Sequence, residues 1–112
     1  MWVRMGSFLV KEGQTASLKT IYNEQAVPRV RAHPGNLGCL LLEPTASDEP
    51  LVAITIWESR AAAEAYESSG AAAEVVSLVR HLFAGPPTLR SYESASVAGL
   101  PAASASRTGQ PG

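Results

Sequence analysis

Leu51-Val52-Ala53-Ile54-Thr55-Ile56-Trp57-Glu58-Ser59-Arg60-Ala61-Ala62-Ala63-Glu64-Ala65-Tyr66 runs from a strand directly into a helix. Alternation puts Val52, Ile54 and Ile56 on one face of the strand, and Leu51, Ala53, Thr55 and Trp57 on the other. The β-branched set is the expected lining beneath a helix layer. The second set mixes small side chains with one large aromatic and is expected on the face remote from the helices. With something to bury on both faces, the sheet wants a partner on each.

The flanking sequence supplies the other elements. Trp2 to Val10 reads as a strand with Trp2, Arg4, Gly6 and Phe8 on one face, and Lys11-Glu12-Gly13 turns it. From Gln14 to about Ala32 the period becomes helical: Leu18, Ile21, Tyr22 and Gln25 share a side that Arg29 continues. Pro28 is expected to end that helix near Val27 or to kink it. Leu37 to Glu43 and Leu51 to Glu58 form a hairpin across the polar loop from Pro44 to Pro50. Ser59 is placed to cap a second helix, which breaks around Ser68-Ser69-Gly70 and resumes with Val75, Val76, Val79, Leu82 and Phe83. Gly85-Pro86-Pro87 stops it, and Thr88 to Glu93 is a fourth strand.

The order β-α-β-β-α-β predicts an α+β ferredoxin-like plait, with both helices on one sheet face and the other face bare. An apolar bare face of about several hundred square ångströms marks an interaction surface. The expected cover is a second copy of the chain, two sheets closing as a dimeric α+β barrel, with an apolar ligand cavity between sheet and helices.

Length and charge narrow the function. The chain has 112 residues, enough for one core. Nine Lys and Arg against ten Asp and Glu leave a formal net charge of −1, which argues against nucleic acid. No apolar run is long enough to span a membrane, the N-terminus does not read as an export signal, and Cys39 is the single cysteine. The expectation is a soluble cytoplasmic protein, with residues 1–94 as the domain. Residues 95–112, rich in Ala, Ser, Gly and Pro, read as a flexible tail that docking on a partner subunit could order.

Phe8 to Gly13, the run from Gly35 to Glu43, Trp57-Glu58-Ser59-Arg60, Tyr66 to Ser69 and Gly85-Pro86-Pro87 together resemble the antibiotic biosynthesis monooxygenase family, over about residues 2 to 94. The resemblance implies the dimeric α+β barrel. It also implies oxidation of polycyclic phenols or anthrones by O₂ without metal or flavin, in keeping with a chain that carries no cofactor motif. The haem-degrading branch of the family has an asparagine on the first strand and a histidine on the second helix. Gly6 or Ser7 occupies the first position here, and His81 lies well beyond the second, so haem breakdown is not expected.

Trp57 and Tyr66 are the catalytic candidates: the indole as pocket lining or as a barrel-filling aromatic, the phenol at the cavity mouth or as helix core. Gln25 and Arg29 on the first helix, with Arg4, Thr55 and Arg90 on strands, are candidates for binding a substrate oxygen. Cross-strand pairing with Glu43, Glu58 or Glu93 is the plainer role for the strand arginines. His81 falls opposite the inward stripe of its helix and reads as solvated. His33 has no polar ally near it in sequence, Cys39 reads as a small buried hydrophobe, and no group has metal-ligand spacing. The primary expectation is a cofactor-independent monooxygenase acting on an aromatic or quinone-like molecule. Its alternatives are a non-catalytic dimeric ligand-binding protein and an isomerase or cyclase on an enolisable substrate.

Overall fold

The computed structural model describes residues 1–100. Strands β1 (Trp2–Phe8), β2 (Asn36–Leu42), β3 (Leu51–Trp57) and β4 (Thr88–Glu93) form one antiparallel sheet in the order β2-β3-β1-β4. Helices α1 (Thr15–Ile21) and α2 (Val27–Arg31) connect β1 to β2, while α3 (Arg60–Ser68) and α4 (Ala71–Val79) connect β3 to β4. This is the α+β plait expected from the element order. Of the tail, residues 95–100 carry no helix or strand, and the expectation for 101–112 lies outside the described residues.

The two faces of the sheet are the reverse of the expectation. Directly paired residues share a face, and β3 pairs with β1 as Leu51 with Phe8, Ala53 with Gly6, Thr55 with Arg4 and Trp57 with Trp2. Phe8, Leu51 and Trp57 are all buried, packed against Leu18, Val79, Val30, Ala63 and Tyr66 from the helices. The set holding Trp57 therefore lies under the helix layer. The physical reason is volume. Where the helices present small side chains, as Ala63 does in the cluster around Trp57, the sheet supplies the large one. Val52, Ile54 and Ile56 instead share the bare face with Val3, Met5 and Leu40. Leu40, Leu42 and Tyr92 are about half exposed there, so the bare face is apolar, although lined by the other set.

Pro28 does not end the first helix. Tyr22–Ala26 forms a π turn closed by Val27 N–H donating to the Tyr22 carbonyl, and Pro28 falls in the first turn of α2, where a missing N–H costs little. The wider turn shifts the helical register by one residue. Inward positions then run Leu18, Tyr22, Ala26, Val30, all buried, whereas Gln25 and Arg29 are exposed.

Two glycines and a serine fix the second half. Ser59 Oγ accepts from Ala62 N–H at 3.1 Å and caps α3 as expected. Gly70, at φ 90°, makes the break between α3 and α4. Gly35 has φ 85°, and a Cβ there would stand 2.5 Å from that of Ala62.

Candidate active site

Between the sheet and the helices lies a cavity of about 430 Å³. Most of its wall is apolar. Phe8, Leu18 and Phe83 line one end, where the Phe8 and Phe83 rings stack with centroids 4.5 Å apart. Lys11 N–H donating to the Leu82 carbonyl and Ala84 N–H to that of Leu9, both at 2.8 Å, pin this corner. Ala26, Ala72 and Ala73 leave room where larger side chains would fill it.

Polar groups gather around Arg4. Its guanidinium is ion-paired with Glu67 Oε2 at the end of α3 and donates to Ser91 Oγ at 3.1 Å. Arg4 and Glu67 line the cavity together with Tyr66, and Thr55 lies directly beside Arg4 on the neighbouring strand. Burial, aided by Cys39 and Glu67 and opposed by Arg4, pushes the Tyr66 phenol up to about 12. Tyr22, also on the cavity wall, is held above the ordinary phenol range by burial and then by the adjacent Cys39; its hydroxyl donates to the Leu40 carbonyl at 3.4 Å. At neutral pH both phenols are proton donors.

Arg4, Thr55 and Tyr66 thus come together on one cavity, and the other candidates fall elsewhere. Trp57 is fully buried behind the wall: its ring lies 4.8 Å from that of Tyr66, and its Nε1 donates to Thr55 Oγ1 at 2.9 Å. It does not line the cavity. Gln25 and Arg29 sit on the outer helix surface, where Arg29 Nη1 donates to the Gln25 carbonyl at 2.8 Å. Arg90 pairs with Met5 and so belongs to the bare face. His81 is exposed, as expected.

Glu67, Arg80 and Tyr22 line the cavity and were not among the sequence candidates for the site. A tyrosine in the inward stripe of the first helix was legible; the pairing of Glu67 with Arg4 carried no local signal. His33 does have an ally: Ser69 Oγ lies 3.3 Å from its Nε2, and its ring meets Tyr66 edge-on at 5.2 Å and Trp57 at 6.2 Å. Its Nδ1 is buried without a hydrogen-bond partner among the described residues. The imidazole braces the aromatic pair from behind and is not part of the cavity lining.

Residues 1–78 match the family model described as antibiotic biosynthesis monooxygenase. Among curated proteins none matches the chain. Solved structures of similar fold include a point mutant of MhuD with two manganese protoporphyrin IX bound per active site, at 27% identity and TM-score 0.73, covering 88% of this chain and 99% of that one. SnoaB, a cofactor-independent oxygenase from Streptomyces nogalater solved as a point mutant, aligns at 16% identity and TM-score 0.72 over 86% of this chain and 94% of its own. The NE2512 protein of unknown function from Nitrosomonas europaea aligns at 23% identity and TM-score 0.70, over 90% and 94%.

Proposed function

This chain belongs to the antibiotic biosynthesis monooxygenase family, and from that premise we propose that it is a cofactor-independent monooxygenase oxidising an aromatic or quinone-like small molecule with O₂ in the cavity beneath its helices. The observation that carries the reading is the clustering of polar groups on the lining: Arg4, Thr55, Tyr66 and Glu67 gather at one part of a mostly apolar enclosure. SnoaB, a cofactor-independent oxygenase of the same fold, lends support.

The chemistry follows from those groups. The apolar walls hold a polycyclic ketone whose CH₂ is acidified by flanking rings. Arg4 and the protonated Tyr66 donate to its carbonyl oxygen, so the charge of the enolate develops against preorganised donors. Glu67 is the acidic group of the lining and takes the carbon proton. The carbanion passes one electron to O₂, and the resulting radical pair closes a C–O bond to give a peroxide. Glu67 returns its proton to the peroxide, then takes the remaining C–H proton as the O–O bond breaks and hydroxide leaves. One oxygen stays as the new carbonyl, and the hydroxide takes the second proton from Glu67 to leave as water.

The porphyrin in the MhuD mutant structure raises the question of haem. An axial ligand would be a histidine, thiolate, thioether or phenolate. Neither histidine nor Cys39 lines this cavity, and Met5, on its border, belongs by register to the other sheet face. Tyr22 and Tyr66 are both held protonated. The residues do not fit a haem.

The active form in this reading is a homodimer, closed through the apolar bare faces, in the cytoplasm. Among the described residues no helix is long and apolar enough to cross a membrane. The direct test is O₂ uptake with a panel of anthrones and dihydroquinones, using isotopically labelled O₂. One labelled atom should enter the product, and Glu67→Gln should slow turnover about 10²-fold or more. No turnover above buffer with folded dimer overturns the reading.

The closed Arg4–Glu67 pair favours a second reading, a dimeric binding protein that holds such a ligand without altering it. Ligands would then raise the melting temperature and be recovered unchanged. An isomerase or cyclase would turn over anaerobically.

A further inference from the structure

Around the cavity, two guanidinium groups stand against a single carboxylate: Arg4 and Arg80 against Glu67. Arg4 and Glu67 satisfy each other. Arg80, at the C-terminal end of α4, has no acidic partner within ion-pair distance among the described residues. It borders the opening together with Pro87 and Leu89, and Leu89 is 60% exposed.

The two arginines lie towards different ends. The eight residue steps from Ala72 to Arg80 span about 12 Å, and the four steps of β1 from Arg4 to Phe8 span about 13 Å. A cation at the rim of an apolar cleft draws anions, because low-dielectric walls focus its field. A carboxylate placed there meets a planar fork of donors and no competing acid.

We propose that the ligand of this cavity is an amphiphilic aromatic acid: a polycyclic body in the apolar enclosure, its oxygen towards Arg4 and an anionic substituent held by Arg80 at the mouth. The proposal rests on the cavity being the ligand site. It adds a charge requirement that the oxygenase reading alone does not contain.

The test titrates the full chain with an anthraquinone carboxylate and with its uncharged carboxamide, following tryptophan fluorescence. The carboxylate should bind about tenfold more tightly at low salt, with the preference shrinking as ionic strength rises. Arg80→Gln should erase the preference and leave carboxamide affinity unchanged; Arg80→Lys should keep part of it. Should Arg80→Gln melt early, the Arg80→Lys and salt series still decide. Equal affinities in the wild type, or a preference that survives Arg80→Gln, overturn this proposal while the cavity reading stands. Failure of both probes to bind overturns both.

Discussion

Trp57 Nε1 donates to Thr55 Oγ1 at 2.9 Å, two residues back along the same strand. The indole takes one lone pair of the Thr55 oxygen, and Thr55 itself borders the cavity. Trp57 thus reaches the cavity through Thr55 and through the ring of Tyr66.

Trp57→Phe should therefore behave as a core substitution with a secondary effect on the site. Loss of the hydrogen bond and of part of a fully buried ring is expected to cost about 1–3 kcal/mol in urea denaturation. Thr55→Val, which leaves the indole N–H without its acceptor, should also destabilise. A Trp57→Phe protein as stable as the wild type would contradict the packing described here.

Tyr66 gives the fold a pH dependence of known sign. Its phenol rises from the usual 10.0 to about 12 in the folded chain. Below pH 10 both states keep the proton, and the full stability is present. Between 10 and 12 the unfolded chain loses it first, so stability falls as pH rises, by about 2–3 kcal/mol at most. Tyr22 is shifted in the same direction. Denaturant melts across that window should show the decline, with tyrosinate absorbance appearing late, and Tyr66→Phe should reduce its slope while Tyr22 keeps a part of it.

The plait was legible because each segment keeps a clean period. β4 has the expected bounds, and the Ser59 cap and the break at Gly70 fall where their residues point. Alternation, however, says only that two sets of side chains exist. Which set faces the helices depends on how much volume the helices bring, and the first Ala-rich run was a clue: its Ala63 leaves the bulk of that cluster to Trp57 and Tyr66. The site was half legible. Arg4, Thr55 and Tyr66 meet because strand register and one helix face suffice to bring them together. Glu67 pairs with Arg4 only through the tertiary fold, and the π turn that redirects Gln25 and Arg29 has no local mark beyond the Pro28 that follows it.

That register shift is directly testable. Gln25→Ala and Arg29→Ala should leave ligand binding unchanged, because both side chains lie on the outer surface. Ala26→Leu places new bulk at a fully buried position on the cavity wall and should weaken binding about tenfold or more. The opposite pattern in a fluorescence titration would mean a regular α-helix through this segment.

Gly35 joins the loop after α2 to the start of α3. At φ 85° it occupies the left-handed region, and its carbonyl accepts from Glu58 N–H at 2.9 Å. A methyl group here meets both backbone strain and the Ala62 side chain. Gly35→Ala should cost about 2–3 kcal/mol. Pairing it with Ala62→Gly removes the collision and keeps the strain, so the double variant should recover part of the loss.

Ile54 lies at the centre of the bare face, between Met5 on β1 and Leu40 on β2. Val3, Ile56, Val52 and Leu42 extend the same apolar surface, and a charge at its centre would be stripped of water in any face-to-face pairing. Ile54→Lys should therefore convert the proposed homodimer to a monomer in sedimentation, with little change in secondary structure, because the side chain does not contribute to the helix-covered core. A wild-type chain that sediments as a single subunit at micromolar concentration would remove the barrel. A dimer that persists in Ile54→Lys would move the interface to another surface, with the exposed edge strand β4 as the next place to substitute.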